Sequence, residues 1–249
     1  MGKGALAGLI LVAAIGVSQV AQARFLSVDP KGPKPGNTSS FNRYSYANNN
    51  PVVNIDPDGR YACGSTDKAV CSQIDGFVHT MNTALSHLNR KSATYASLNA
   101  VSQHIGKAGD GNGVTLTGGS LKEGQIAVAN SATLMTIDTK QAATLSAPFR
   151  QYNSGRSSES LAKAFGASAV AHEGQHQLDY LNPKIGYPTD RTTEMTTEMN
   201  AYRTELGVAK GLSLSTDLYA PGALPKDVNQ RVQEAAAAST DAFCKANGC

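Results

Sequence analysis

The sequence predicts an α+β fold, on three observations. Ser65–Asn89 carries Val70, Ile74, Phe77, Val78, Met81, Leu85 and Leu88 at the spacing of one helical face. Gln125–Ala129 and Thr133–Asp138 are short apolar or β-branched runs bounded by turn residues, the pattern of strands. Two further stretches, Ser158–Tyr180 and Asp190–Lys210, read as helices that follow those strands.

Taken in order, the chain divides into residues 1–23, 24–60 and 61–249. Met1–Lys3 is short and positive, Gly4–Val17 is apolar, and Val20-Ala21-Gln22-Ala23 gives an A-x-A cleavage site. Residues 1–23 therefore read as a secretory signal peptide cut after Ala23. Its apolar run is shorter than the roughly 20 residues of a spanning helix. The expectation is a secreted or periplasmic protein with no stable membrane insertion after signal cleavage. Arg24–Arg60 is rich in Pro, Gly, Asn and Ser, lacks helical periodicity, and reads as loop-rich.

Tyr61–Cys249 reads as one domain. The helix Ser65–Asn89 is followed by a Gly-rich loop, Lys107–Gly119, and then by the two strands. The helix Ser158–Tyr180 starts in a Ser-rich segment that can cap it, and Leu161, Phe165, Ala169 and Val170 recur at helical spacing. Asp190 or Thr192 can cap the next helix, which runs out at Lys210-Gly211. A last helix runs from about Lys226 to Asn247, after Pro221 and Pro225. There are no internal repeats.

The chemistry sits in the helix Ser158–Tyr180, as His172-Glu173-Gly174-Gln175-His176. Residues i and i+4 of a helix share a face, so both imidazoles can turn to one metal ion. Glu173 projects beside them, where a carboxylate can act as general base on a water at that metal. This H-E-x-x-H spacing resembles the zinc-protease arrangement. Such a site needs a third protein ligand and an open fourth position. No third His follows at the x-x-G-x-x-H spacing, and no Cys is near.

The helix Asp190–Lys210 supplies the carboxylates Glu194, Glu198 and Glu205, with Glu194 and Glu198 one turn apart on one face. Glu198 opens the string Glu198-Met199-Asn200-Ala201-Tyr202, whose small residue at i+3 lets two helices approach around a metal. This resembles the gluzincin arrangement, in which a Glu on a later helix, often as E-x-x-A-[YF], is the third ligand. The resemblance implies a zincin-like metallopeptidase domain with a small sheet and an active-site helix. Zinc would be held by His172, His176 and Glu198, with Glu194 the alternative ligand and Glu173 the catalytic base. Strands before the motif helix fit that plan, with an edge strand able to add a peptide substrate to the sheet.

Asp179 lies seven residues after His172, two turns along the same face, where a carboxylate can orient a ligand imidazole. Tyr180, Tyr187 and Tyr202 are phenols able to donate to a developing oxyanion, and Tyr202 lies within the Glu198 string. His79, His87 and His104 have no partner at ligand spacing and read as surface or core residues.

A second resemblance lies in residues 24–60. Arg24-Phe25-Leu26-Ser27 with Asp29-Pro30, then Asn42-Arg43-Tyr44-Ser45-Tyr46-Ala47, Asn49-Asn50-Pro51-Val52 and Asp56-Pro57-Asp58-Gly59 are similar to the end of the RHS-repeat core. In that family the core is followed by a variable C-terminal domain that is commonly a toxin. The resemblance implies a core remnant ahead of a toxin-type domain, with a cognate immunity protein as partner. Pro33 and Arg60 follow the two D-P-x-G strings where Leu is usual for self-cleavage, so no self-cleavage residues are carried over.

Composition narrows the function classes. The formal net charge is +3, or +2 once Lys3 leaves with the signal, too small a bias to argue for nucleic acid or an anionic membrane. Cys63, Cys71, Cys244 and Cys249 form an even set, which in an exported chain suggests two disulfides, and the pairing stays open. The expected partner is a protein or peptide substrate. Two other classes fit the same residues: a peptidoglycan amide hydrolase using the same metal site, and a disulfide-bonded exported binding module whose motif is incidental or metal-storing.

Overall fold

Six α-helices and a four-stranded mixed sheet make up the described residues, 61–106, 113–215 and 228–249, of the computed structural model. The expected signal peptide and RHS-like stretch, residues 1–60, lie outside the described residues. In chain order the elements are β1 (Ala62–Cys63), α1 (Lys68–His87), α2 (Ala93–Ile105), β2 (Thr115–Gly118), β3 (Ala127–Ser131) and β4 (Leu134–Ile137). Then come α3 (Thr139–Ser146), a 3-10 turn (Ala147–Tyr152), α4 (Ser158–Leu181), α5 (Arg191–Gly211) and α6 (Val228–Asn247). The expected α+β class stands.

The strands lie in the order β1-β2-β4-β3, parallel except for the antiparallel pair β3–β4. Thus β3 is an edge strand. Leu116, Met135 and Ile137 of the inner strands are fully buried against Ile74 and Met81 of α1, Leu98, Val101 and Ile105 of α2, and Val170 of α4. Side chains two apart on a strand share a face, so Met135 and Ile137 enter this core together.

Two elements differ from the sequence expectation. Ala93–Ile105, to which periodicity assigned nothing, is the helix α2. The Ser92 hydroxyl accepts from the Tyr95 amide, and Leu98, Val101 and Ile105 turn its one apolar face inward. The Gly-rich loop expected over Lys107–Gly119 instead contains β2, paired on both sides. Its glycines are there because neighbours crowd it: a Cβ on Gly118 would strike Val70, and one on Gly119 would lie 2.7 Å from Thr136 Cγ2. Residues 107–112 of that loop lie outside the described residues. The disulfides left open by sequence pair locally, as Cys63–Cys71 and Cys244–Cys249. Among the described residues no helix is long and apolar enough to cross a membrane.

The helix α4 runs through the middle, touching α1, α2, α3, α5 and β3. It is surrounded, so its buried residues are small on several faces: Ala164, Gly166, Ala167, Ser168, Ala171 and Gly174. Small side chains let backbones close up. A Cβ on Gly166 would stand 2.5 Å from the Phe77 ring. The tightest approach joins α1 to the end of α5, where a Cβ on Gly211 would run into the Ala84 carbonyl. Ala is the better helix former by about 1 kcal/mol, but overpacking against backbone costs about 1–3 kcal/mol. Gly211→Ala is therefore expected to lower stability by up to about 2 kcal/mol in urea unfolding. A neutral or stabilised variant would mean that α1 and α5 do not close on each other as described.

Candidate metal centre

The site forms where α4 faces α5. The Ser157 hydroxyl caps α4 by accepting from the Ser160 amide at 3.1 Å. The Asp190 carboxylate caps α5 by accepting from the Thr192 and Thr193 amides at 2.8 and 2.9 Å. These starts fix the phase of both helices, and the phase decides which side chains meet. Four residues apart on α4, His172 and His176 bring their Nε2 atoms within 3.2 Å of each other. Glu198 of α5 closes the triangle, with Oε2 3.5 Å from His172 Nε2 and Oε1 3.7 Å from His176 Nε2.

These separations match a metal. Ligand atoms about 2.0–2.1 Å from a tetrahedral zinc ion stand about 3.3–3.4 Å from one another. His172, His176 and Glu198 therefore form a group of side chains able to hold a metal ion. Two polar atoms, Glu198 Oε2 and His176 Nδ1, are buried with no hydrogen-bond partner among the described residues. Buried polar groups are normally paired, so a carboxylate set against two imidazoles with one oxygen unpaired is a place for a cation. Of the two glutamates that sequence left open, Glu198 belongs to the triangle. Glu194 is buried one turn earlier on α5 and lies outside the group.

Charge is crowded here. Burial, with the neighbouring carboxylates Glu198 and Glu205, pushes Glu173 up to about 7, against the pull of His172 and the Ala129 amide. Burial with Glu198 and Glu173 nearby pushes Glu194 up to about 7 as well. Burial opposes charge on His172, yet the carboxylates Glu198 and Glu205 beside it raise it well above the ordinary imidazole value. Burial and the adjacent His172 push His176 down to about 3.

Glu173 is tied to the sheet. Its Oε2 accepts the Ala129 amide at 2.7 Å. The Asp138 amide donates to the Ile126 carbonyl at 2.8 Å, and Ala127 and Ala129 sit opposite Ile137 and Met135. Antiparallel pairs alternate, so Ala127 and Ala129 point their amides and carbonyls away from β4, to the open edge. One turn on from Glu173, Gln177 donates its amide to the Ser131 carbonyl at 3.2 Å. The motif helix is therefore laced to the edge strand at two places. Gly174, between them, has α2 behind it: a Cβ there would be 2.5 Å from Val101 Cγ1.

The other expected residues fall around the site in different ways. Asp179 does not reach a ligand imidazole. It lies about 10 Å along the same helix from His172, and its carboxylate accepts from Gln175 at 2.9 Å and Asn200 at 3.1 Å. The carboxylate on an imidazole is instead Glu205, whose Oε2 is 3.1 Å from His172 Nδ1. The sequence reading gave Glu205 no role. Its signal was present, since it follows Glu198 by seven residues, the same two-turn spacing that drew attention to Asp179. Tyr202 packs edge-on against His172, with ring centres 4.6 Å apart, and its hydroxyl is 2.8 Å from Ser239 Oγ of α6. Tyr180 stacks over His176, and Tyr187 leans on Tyr180 while remaining largely exposed. His87 lies 3.0 Å from the Gly211 carbonyl, and His104 lies 3.2 Å from the Gln177 amide oxygen. Neither these two nor His79 joins the metal-capable group.

Comparison with known proteins reaches only a small part of this chain. It is 51% identical over 37 residues to the tRNA nuclease WapA of Bacillus subtilis (strain 168). Matches of the same extent occur to the tRNA3(Ser)-specific nuclease WapA of Bacillus spizizenii and the tRNA(Glu)-specific nuclease WapA of Bacillus subtilis subsp. natto. The matched stretch is 15% of this chain and 2% of each relative. No family model matches the chain, and no solved structure matches it.

The triangle separates the roles of the two α5 glutamates in a measurable way. Glu198→Gln is expected to weaken metal binding by more than about 100-fold, beyond the cost of losing an outer partner. Glu194→Gln is expected to leave binding within a few-fold of the parent. Titration of the metal-free protein with zinc against a chromophoric chelator checks both. Equal losses in the two variants would contradict the assignment of Glu198.

Proposed function

We propose that this chain is an exported zinc-dependent metallopeptidase of the zincin type, acting as an RHS-associated toxin or effector. One observation carries the catalytic part. His172, His176 and Glu198 make a tetrahedral-sized triangle, and the carboxylate next to it, Glu173, lies on the open edge of β3. Metal ligands, a base and a strand able to accept a peptide thus converge at one place. The α+β order, with the edge strand antiparallel beside the motif helix, supports the zincin reading. The two disulfides fit an exported chain. The toxin assignment, and the immunity protein it implies, rest on the RHS resemblance of residues 24–60.

An extended peptide aligns along β3, where the outward amide and carbonyl of Ala127 and the carbonyl of Ala129 offer strand pairing. Zinc bound there would polarise the scissile carbonyl and lower the pKa of an attacking water towards about 7. Glu173 takes the proton from that water and passes it to the leaving amine. The Ala129 amide holds the Glu173 carboxylate against the strand that seats the substrate, so base and scissile bond share one frame. The WapA relatives are named tRNA nucleases, but this chain spans 2% of their length. The near-neutral charge balance gives a polyanion little to bind.

Glu173→Gln is expected to keep zinc at the parent affinity and to lose about 10²–10⁴-fold in hydrolysis of an unfolded protein such as reduced casein. Chelation is expected to abolish activity in the parent, and one equivalent of zinc to restore it. Full activity in Glu173→Gln, or activity indifferent to chelation, would sink the mechanism. Digestion of purified cell wall in place of casein would move the assignment to a peptidoglycan amide.

A further inference from the structure

We infer that Glu205 is the positioning residue of the metal centre, holding the His172 ring so that its Nε2 lone pair faces the ion. This rests on the zinc reading above and concerns a residue that reading does not use. Glu198 and Glu205 stand two turns apart on one face of α5, about 10 Å along its axis. The two nitrogens of an imidazole lie on opposite sides of the ring. The pair of carboxylates therefore brackets His172, with Glu198 3.5 Å from Nε2 and Glu205 3.1 Å from Nδ1. Both partners of the Glu205 contact are largely sheltered, with side-chain exposures of 13% for His172 and 15% for Glu205.

An ionised carboxylate only accepts, so the hydrogen between them belongs to Nδ1. That choice frees Nε2 for the metal. Tyr202 adds a steric wall, its ring edge-on to His172 at 4.6 Å. The ring is thus fixed in tautomer by Glu205 and in tilt by Tyr202. His176 is held differently, since its Nδ1 has no hydrogen-bond partner among the described residues. The two ligand imidazoles are therefore unequal. A carboxylate behind a ligand imidazole raises its basicity and adds negative charge near the dication, and losing such a partner typically weakens metal binding about 10- to 100-fold.

The competing account is that Glu205 and His172 merely pin α5 to α4. The two accounts differ in what they move. Zinc affinity and the thermal midpoint of the metal-free protein would be measured on the full chain, for the parent, Glu205→Ala and Glu205→Gln. Positioning predicts about 10- to 100-fold weaker zinc binding in Glu205→Ala. Glu205→Gln would fall between, because its amide oxygen still accepts from Nδ1 without the charge. Zinc affinity within twofold of the parent in both variants, with a lowered metal-free midpoint, would overturn the inference in favour of pinning. If Glu205→Ala does not fold, parent-like affinity in Glu205→Gln overturns it alone. A parent protein that binds no zinc would remove the metallopeptidase reading itself, a result distinct from parent binding with indifferent variants.

Discussion

Negative charge buried between two helices is the constraint around which this domain is arranged. Glu198 faces both His172 and His176, Glu205 backs His172, and Glu173 and Glu194 lie close enough to add their charge where α4 meets α5. Like charges in a poorly screened interior cannot all ionise without a cation among them. The directions found here follow from that. Two carboxyls are pushed up towards neutrality, and one imidazole is driven to hold its proton. A divalent ion within the triangle would satisfy the same imbalance more completely than a single imidazolium. Four acids are costly in any core, and few structural roles would require them at this density.

The fold brings these groups together with small residues and backbone contacts rather than large apolar side chains. The centre of α4 is lined with Ala, Gly and Ser, so four helices and a strand can reach it. Val101 of α2 occupies the space a side chain at position 174 would need, and the Phe77 ring does the same at 166. With its back closed in this way, α4 presents the imidazoles only towards α5. The two ties to β3, through Glu173 and Gln177, lock the height of the edge strand relative to those imidazoles. Motif helix and edge strand are thereby registered by the same helical turn.

Much of this was legible in the residues, for identifiable reasons. The H-E-x-x-H spacing encodes a single helical face, and helical geometry did the rest, so His172, Glu173 and His176 came out where expected. Glu198 was legible because Ala201 at i+3 signals a close helix approach. Asp179 misled because the face it shares with His172 says nothing of the distance along the axis. Glu205 follows the same two-turn rule but acts across to another helix, and only the crossing of α4 and α5 reveals which partner it meets. The helix α2 escaped because Ser, Thr and Asn dilute its apolar face, although Leu98, Val101 and Ile105 do stand at helical spacing. The strand β2 escaped because its glycines answer to Val70 and Thr136, contacts distant in sequence.

The two disulfides lie 8 and 5 residues apart in sequence, one fastening β1 to the start of α1 and the other closing the end of α6. A crosslink constrains an unfolded chain less as the loop it closes shrinks, so bridges this short restrict little of the denatured ensemble. Neither touches the contact of α4 with α5. A chain so built leans on its packed helices more than on its crosslinks. Reduction of both bridges would then leave the central helices packed and the imidazoles aligned.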